Sequence, residues 1–264
     1  MRKKLNLALS VCAVLCCAIV STSAQRPPIV RGSSVDPDSP QGILLDDLNA
    51  SRESHGLLAM HLNANLSIAA QRHADLMAQE DTLDHQLPNE AGLAERCAAA
   101  GAHFSSIAEN IATGGALHRI HDGWLHSPPH LENMMTPAFT AVGIGIAKRG
   151  RTIYAVEDFS MEVAVENTAT VEQRVRDMLA DRNINPGISA QFARRACESG
   201  ERQYSGDGPR PALVIQFASP DVEKLGPILD EKLRPGRYQS ASVGACADVN
   251  GRGFTRYRVT LLLY

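Results

Sequence analysis

The chain lacks an excess of charge of either sign. Its 264 residues carry 26 Lys and Arg against 29 Asp and Glu, a net charge of -3 with the two signs interspersed. That balance excludes a basic face built for nucleic acid and an acidic solvating tail. After residue 24 no apolar stretch approaches the roughly 20 residues that a spanning helix needs, so no transmembrane segment is expected there. Cysteine is scarce, with six in all, and Cys12, Cys16 and Cys17 fall in the opening segment. No HExxH or comparably tight ligand spacing is present. The composition is otherwise that of an ordinary globular protein, long enough for one large domain or two small ones.

What is there begins with Arg2-Lys3-Lys4, an apolar run from Leu5 to Val20, and Ser-Thr-Ser-Ala ending at Ala24. This is the order of a secretory signal peptide, expected to span 1–24 and to be cleaved after Ala24. An uncleaved anchor would need a longer run, and lipid attachment at Cys16 or Cys17 is disfavoured by the bulky residues before them. Secretion, to an extracellular or periplasmic setting, leaves Cys97, Cys197 and Cys246 in oxidising surroundings. The alternatives are three small buried residues or a Cys197–Cys246 disulfide worth about 2–4 kcal/mol, and the bridge is preferred.

Residues 25–40 carry four prolines, serines and few apolar side chains, and read as a disordered linker. From Gly42 the text turns helical. Leu44, Leu45 and Leu48 start one stripe, and Leu66, Ala69, Ala70, Ala74 and Met77 form a second at i, i+3, i+4 spacing. Shorter helices are expected over Leu93 to Ala100 and Ala116 to Leu125, the latter ended by Pro128-Pro129. From Phe139, alternating Val142, Ile144 and Ile146, a Lys-Arg-Gly turn and a return through Tyr154 and Val156 predict a β-hairpin.

Beyond Met161 the pattern restarts. Helices are predicted at Val171 to Leu179 and Ser189 to Cys197, a strand from Ala212, a helix opened by Ser219-Pro220, and two closing strands. YQSASVGACA from Tyr238, followed by TRYRVTLLL, echoes FTAVGIGIA from Phe139, followed by TIYAVEDF. Either the chain holds a degenerate half-repeat that has lost its polar residues, or two antiparallel hairpins share Gly and Val alternation.

Between residues 42 and 160 several signatures occur in order: Leu48, Asn49, Arg52 and Gly56; Leu66, Ala70, His73, Ala74 and Met77; Leu83-x-His85; Glu109-Asn110-Ile111-Ala112; and Trp124-x-x-Ser127-Pro128-x-His130-x-x-Asn133-Met134. Phe139-Thr140-x-Val142-Gly143-Ile144-Gly145 completes the set. Together they resemble the CAP superfamily of cysteine-rich secretory proteins, antigen 5 and pathogenesis-related 1 proteins, in its bacterial secreted branch. The resemblance implies an α+β fold: a CAP (SCP-like) α-β-α sandwich with a central antiparallel sheet over 41–161. A smaller α+β C-terminal domain would follow at 162–264. It also implies a polar cavity where His85, Glu109 and His130 meet, with Asn110, Ser127 and Asn133 around them. Many eukaryotic members carry a second glutamate where this chain has Ser127, so a full two-histidine, two-glutamate cluster is absent.

Two imidazoles and one carboxylate are the minimum for a divalent metal such as zinc with water in the fourth position. The same groups also make a metal-free hydrogen-bonded network, with Glu109 holding one histidine tautomer and Asn110 and Asn133 tying loops, and this is preferred, so no cofactor is required. A third reading makes Ser127 a nucleophile with His130 or His85 as base and Glu109 as orienter. Its plain alternative is a helix-stopping turn that positions His130. His73, on an apolar stripe, reads as a core histidine, His118 and His121 as solvated side chains, and Trp124 as a core anchor. Function divides between a non-catalytic secreted binding or scaffold module for a lipid, peptide or cell-envelope component, which is favoured, and a metal-assisted or serine-type hydrolase. The C-terminal half, packed on the first, is a third possible carrier.

Overall fold

A computed structural model of the chain describes residues 35–200, 204, 206, 208–248 and 252–264. The expected signal peptide, with Cys12, Cys16 and Cys17, and the expected linker as far as residue 34 lie outside the described residues. From Val35 the chain closes a turn and enters α1 (Pro40–Ser54). Ser39 caps this helix by accepting the Gly42 N–H at 3.1 Å, and Pro40 occupies the first turn, where its missing N–H costs nothing. The helix thus begins inside the stretch expected to be linker.

There follow β1 (His61–Leu62), α2 (Ala64–Glu80), α3 (Leu93–Ala99), β2 (Phe104–Gly114), α4 (Leu117–Leu125), α5 (Pro128–Met135), β3 (Ala141–Arg149) and β4 (Thr152–Glu162). The sheet order is β1-β3-β4-β2. The three long strands are antiparallel, and the two-residue β1 adds a parallel edge. Helix α2 lies on one face, drawn in by Gly143 and Gly145, where a Cβ would stand 2.3 Å from Leu66 and 2.2 Å from the Ala70 backbone. Only hydrogen fits there. On the other face Leu44, Leu48, Ile120, Trp124 and Met134 pack against Val142, Ile144 and Phe159. The result is the α-β-α sandwich the motifs implied.

Arg52 ties the second layer down. Fully buried on α1, it donates to the carbonyls of Leu58 at 2.9 Å and Met134 at 2.6 Å. The free edge of β2 is covered in the same way: Trp124 donates its indole N–H to the Ile111 carbonyl, and Asn133 its amide to the Glu109 carbonyl, both at 3.2 Å. Edge carbonyls left open invite another strand, and here side chains of α4 and α5 close them.

Three expectations need correction, and one strand was not foreseen. Pro128 and Pro129 do not stop a helix; they open α5, because proline suits the first helical turn. The AENIATG segment is part of the eleven-residue strand β2. Its interrupted apolar pattern hid the strand, since its two faces meet different layers. Ser219 ends a strand, and Asp221 caps the short 3-10 turn that follows. His121 is not solvated; it is buried and bonded through Nε2 to Ser51 Oγ at 2.9 Å, while the exposed His118 pairs with Asp47 at 2.6 Å.

The later chain forms α6 (Thr168–Ala180), β5 (Asn185–Ile188), α7 (Ala190–Ser199), β6 (Leu213–Ser219), a 3-10 turn at Val222–Lys224, α8 (Leu225–Lys232), β7 (Ser240–Cys246) and β8 (Tyr257–Leu263). Its sheet order, β5-β7-β8-β6, repeats that of the first sheet, with the same parallel edge pair and the same antiparallel hairpin. Gly244 of β7 presses on α7, where a Cβ would lie 2.2 Å from the Arg194 nitrogen, as Gly145 presses on α2. Shared alternation in two hairpins does not place matching outer strands or a matching helix contact; a degenerate repeat does. With the two glycines superposed, strand register sets Val214 and Leu262 where the first sheet has Glu109 and Asp158. Cys197 and Cys246 are joined by a disulfide that fastens α7 to this sheet, and Cys97 is a buried free thiol.

Glu157 on β4 is the anomaly of the first core. It is fully buried, neither carboxyl oxygen has a partner, and burial, with the charge of Asp47, pushes its pKa up to about 8. The unfolded chain releases this proton near pH 4.3, so folding takes up a proton between those values and stability falls as pH rises through them. Glu157→Gln is expected to flatten that fall. Urea midpoints compared between about pH 5 and about pH 8 should decline less in the variant than in the wild type; equal declines would contradict a neutral, buried Glu157.

Candidate functional site

Strand β2 delivers Glu109 to the α2 side of the sheet, opposite Asp158 of β4. Its side chain is almost wholly buried, and both oxygens are used. His85, in the loop after α2, gives Nδ1 to Oε1 at 2.8 Å, and Arg96 of α3 grips Oε2. Arg96 also donates to the His85 carbonyl at 3.3 Å, so one guanidinium holds both the carboxylate and the loop bearing the imidazole. Behind Glu109 the Cys97 thiol donates to Asp158 at 3.4 Å. His73, buried on α2, bonds Glu90 through Nδ1 at 2.8 Å, and its Nε2 stands 3.7 Å from Glu109. His73 is the core histidine expected, and its ring also stands behind Glu109.

Helix α5 supplies the other wall. Pro128 and Pro129 start it, and His130 follows in its first turn. Asn110 accepts from Asn133 at 3.0 Å and donates to the His130 carbonyl at 3.2 Å, which fixes α5 against β2. The His130 ring is half-buried, and its Nδ1 lacks a partner. Ser127, half-buried at the helix start, makes no capping bond and no hydrogen bond to either imidazole.

These contacts set the protonation states. Burial alone would raise the Glu109 carboxyl, but the His85 hydrogen bond and the Arg96 charge hold it below the usual glutamate range. The hydrogen bond to Glu109 raises the His85 pKa against the effect of burial. Burial, then the charge of His85, lowers that of His130. Asp158 is pushed well up by burial and by Glu109. The site therefore pairs a largely exposed imidazole whose charged form is favoured with one whose neutral form is favoured, over a buried carboxylate and a second buried acid whose neutral form is favoured.

Among the described residues, no group of three or more His, Cys, Asp and Glu side chains is gathered as metal ligands. Glu109 is engaged by Arg96 and by Nδ1 of His85, an arrangement that leaves Nε2 of His85 open and fixes its ring orientation.

Reasoning from the sequence missed Arg96, Cys97 and Asp158. Two signals were present: a lone arginine amid the alanines of a short helix, and the pair Glu157-Asp158 in a strand otherwise reading as core.

The first half of the chain is an α-β-α sandwich with two imidazoles and a clamped carboxylate at one edge of its sheet. Residues 45–163, a little under half of the chain, match the family model described as CAP, the cysteine-rich secretory protein family. The uncharacterized protein YkwD of Bacillus subtilis is 23% identical over 137 residues, covering 49% of this chain and 53% of that protein. The chain thus matches about half the length of that curated relative. An outer surface protein of Borrelia burgdorferi is 22% identical with a TM-score of 0.45, over 48% of this chain and 96% of that one. An extracellular protein containing an SCP domain from Bacillus anthracis is 23% identical with a TM-score of 0.42, over 50% of this chain and 45% of that one.

Because Glu109 is what raises the His85 pKa, Glu109→Gln should bring the imidazole midpoint down towards about 6.5. Proton NMR of the histidine ring across a pH series measures this directly, and an unchanged midpoint would show that the pair is not formed in solution.

Proposed function

We propose that the CAP domain is a non-catalytic binding module, exported from the cell, whose cavity takes a lipid, peptide or cell-envelope component. The observation that supports this reading is the occupation of Glu109. A carboxylate already bound by a guanidinium and an imidazole is not a free general base, and among the described residues Ser127 makes no hydrogen bond to an imidazole that could activate it as a nucleophile. Glu109 is suited to hold His85 charged at the cavity mouth, where a polar group of a ligand meets one charged and one neutral imidazole. Asn110 and Asn133 keep the α5 wall in place, and Ser127 borders the opening. No metal or other cofactor is required. Among the described residues no helix is long and apolar enough to cross a membrane, and the opening 24 residues read as an export signal.

A second reading, hydrolysis, draws on the separation of the two imidazoles into a protonated and a neutral member, which is the arrangement an acid and base pair needs. It would use His130 as base with Ser127 or a metal-bound water as nucleophile.

The deciding experiment is mass spectrometry of the protein purified gently from its native source, with peptide and ester hydrolysis assayed in parallel. A co-purifying organic ligand whose affinity drops about tenfold or more in His85→Ala and His130→Ala supports the binding module. Turnover abolished by His130→Ala, or by Ser127→Ala, or dependent on stoichiometric zinc, would overturn it.

A further inference from the structure

The second sheet has no counterpart of the Glu109–Asp158 pair, because Val214 and Leu262 stand in that register. It does reach the first sheet, and the contact falls beside the cavity. On the way from β7 to β8 the chain sends Gly253, Phe254 and Thr255 against α3 and the start of β2. The Thr255 N–H donates to the Phe104 carbonyl at 2.8 Å. The Phe254 ring stands edge-on to that of Phe104, with centroids 5.5 Å apart and planes at 77°, and joins the apolar cluster that contains Cys97. Gly253 has φ +91°, and a Cβ there would stand 2.3 Å from the Ala94 carbonyl oxygen. Only glycine allows the backbone this close to α3.

Helix α3 depends on such a contact. It is seven residues long and begins at Gly92 without a side-chain cap, and a helix of two turns is held by packing rather than by its own hydrogen bonds. Yet it carries Arg96, which holds both Glu109 and the His85 loop, and Cys97, which meets Asp158. Whatever seats α3 therefore sets the cavity.

We propose that the Gly253–Thr255 segment of the second sheet is a positioning element for the cavity of the first, acting through α3 and Arg96. The degenerate repeat lost its own site and braces the other one. Gly253, Phe254 and Thr255 are positioning residues, since the groups they touch are Ala94 and Phe104 rather than the imidazoles. The proposal rests on the cavity being the functional site, but its test is read without ligand.

The experiment is a pH titration of the His85 ring by NMR in the full chain. Phe254→Ala should raise the midpoint by about 0.3 pH unit or more, because an Arg96 released from its seat no longer holds its positive charge beside Glu109 and His85. In an Arg96→Ala background the same substitution should add nothing. Phe254→Leu, which refills the space, should restore the wild-type midpoint. Leu229→Ala, in the core of the second sheet, should lower Tm without moving His85. If Phe254→Ala does not fold, Thr255→Pro, which deletes the N–H given to Phe104, is read in the same way. A His85 midpoint unmoved by Phe254→Ala despite a lower Tm would overturn the proposal. So would an equal shift without Arg96, or an equal shift in Leu229→Ala. Failure of the binding reading is distinguishable: no ligand would co-purify while Phe254 and His85 remained coupled.

Discussion

The grip of Arg96 on Glu109 governs the cavity. A carboxylate on the inner face of a sheet loses its water, and an uncompensated charge there would take up a proton instead. One guanidinium and one imidazole keep Glu109 ionised. Its hydrogen bond then raises the pKa of His85, and burial together with the charge of His85 lowers that of His130. The distinct characters of two chemically identical side chains thus descend from one buried ion pair, and so does the neutral Asp158 behind it.

That pair needs a scaffold that brings three separate elements to one place. Gly143 and Gly145 let α2 settle on β3, which places His73 and the following loop near β2. The side chains of Trp124 and Asn133 close the edge of β2 and seat α5 beside Glu109. Helix α3, the weakest member, lies between the two sheets' contacts. The two sheets share one topology and differ in what the strands carry: acids on the inner faces of the first, and aliphatic side chains in the same register of the second. The second sheet could then fill its core without any ion pair. The buried Glu172, paired with Arg194 and accepting the Ala245 N–H at 3.0 Å, is a local tie at its margin.

Much of this was legible before any coordinates. The stripe of Leu66, Ala70 and Met77 and the alternation of Val142, Ile144 and Ile146 are local periodicities, and they gave the right elements. His85, Glu109 and His130 were singled out through the resemblance of their ordered motifs to the CAP family. The strand β2 was not, because its residues alternate between a polar cavity and an apolar layer and so lack a clean period. Pro128-Pro129 was misread because the same dipeptide ends one helix and begins another, and sequence alone does not say which side of the break is helical.

By itself, then, the sequence determined which residues form helices and hairpins and which family motifs the first half carries, since these follow from backbone preference and from patterns repeated over a few residues. Only the tertiary structure decided which partner holds each buried charge, that Arg96 and His85 share Glu109, and that two unequal halves share one topology. A charge withdrawn from water is neutralised by whichever group the fold brings within reach, and that distance through space is not written in the distance along the chain.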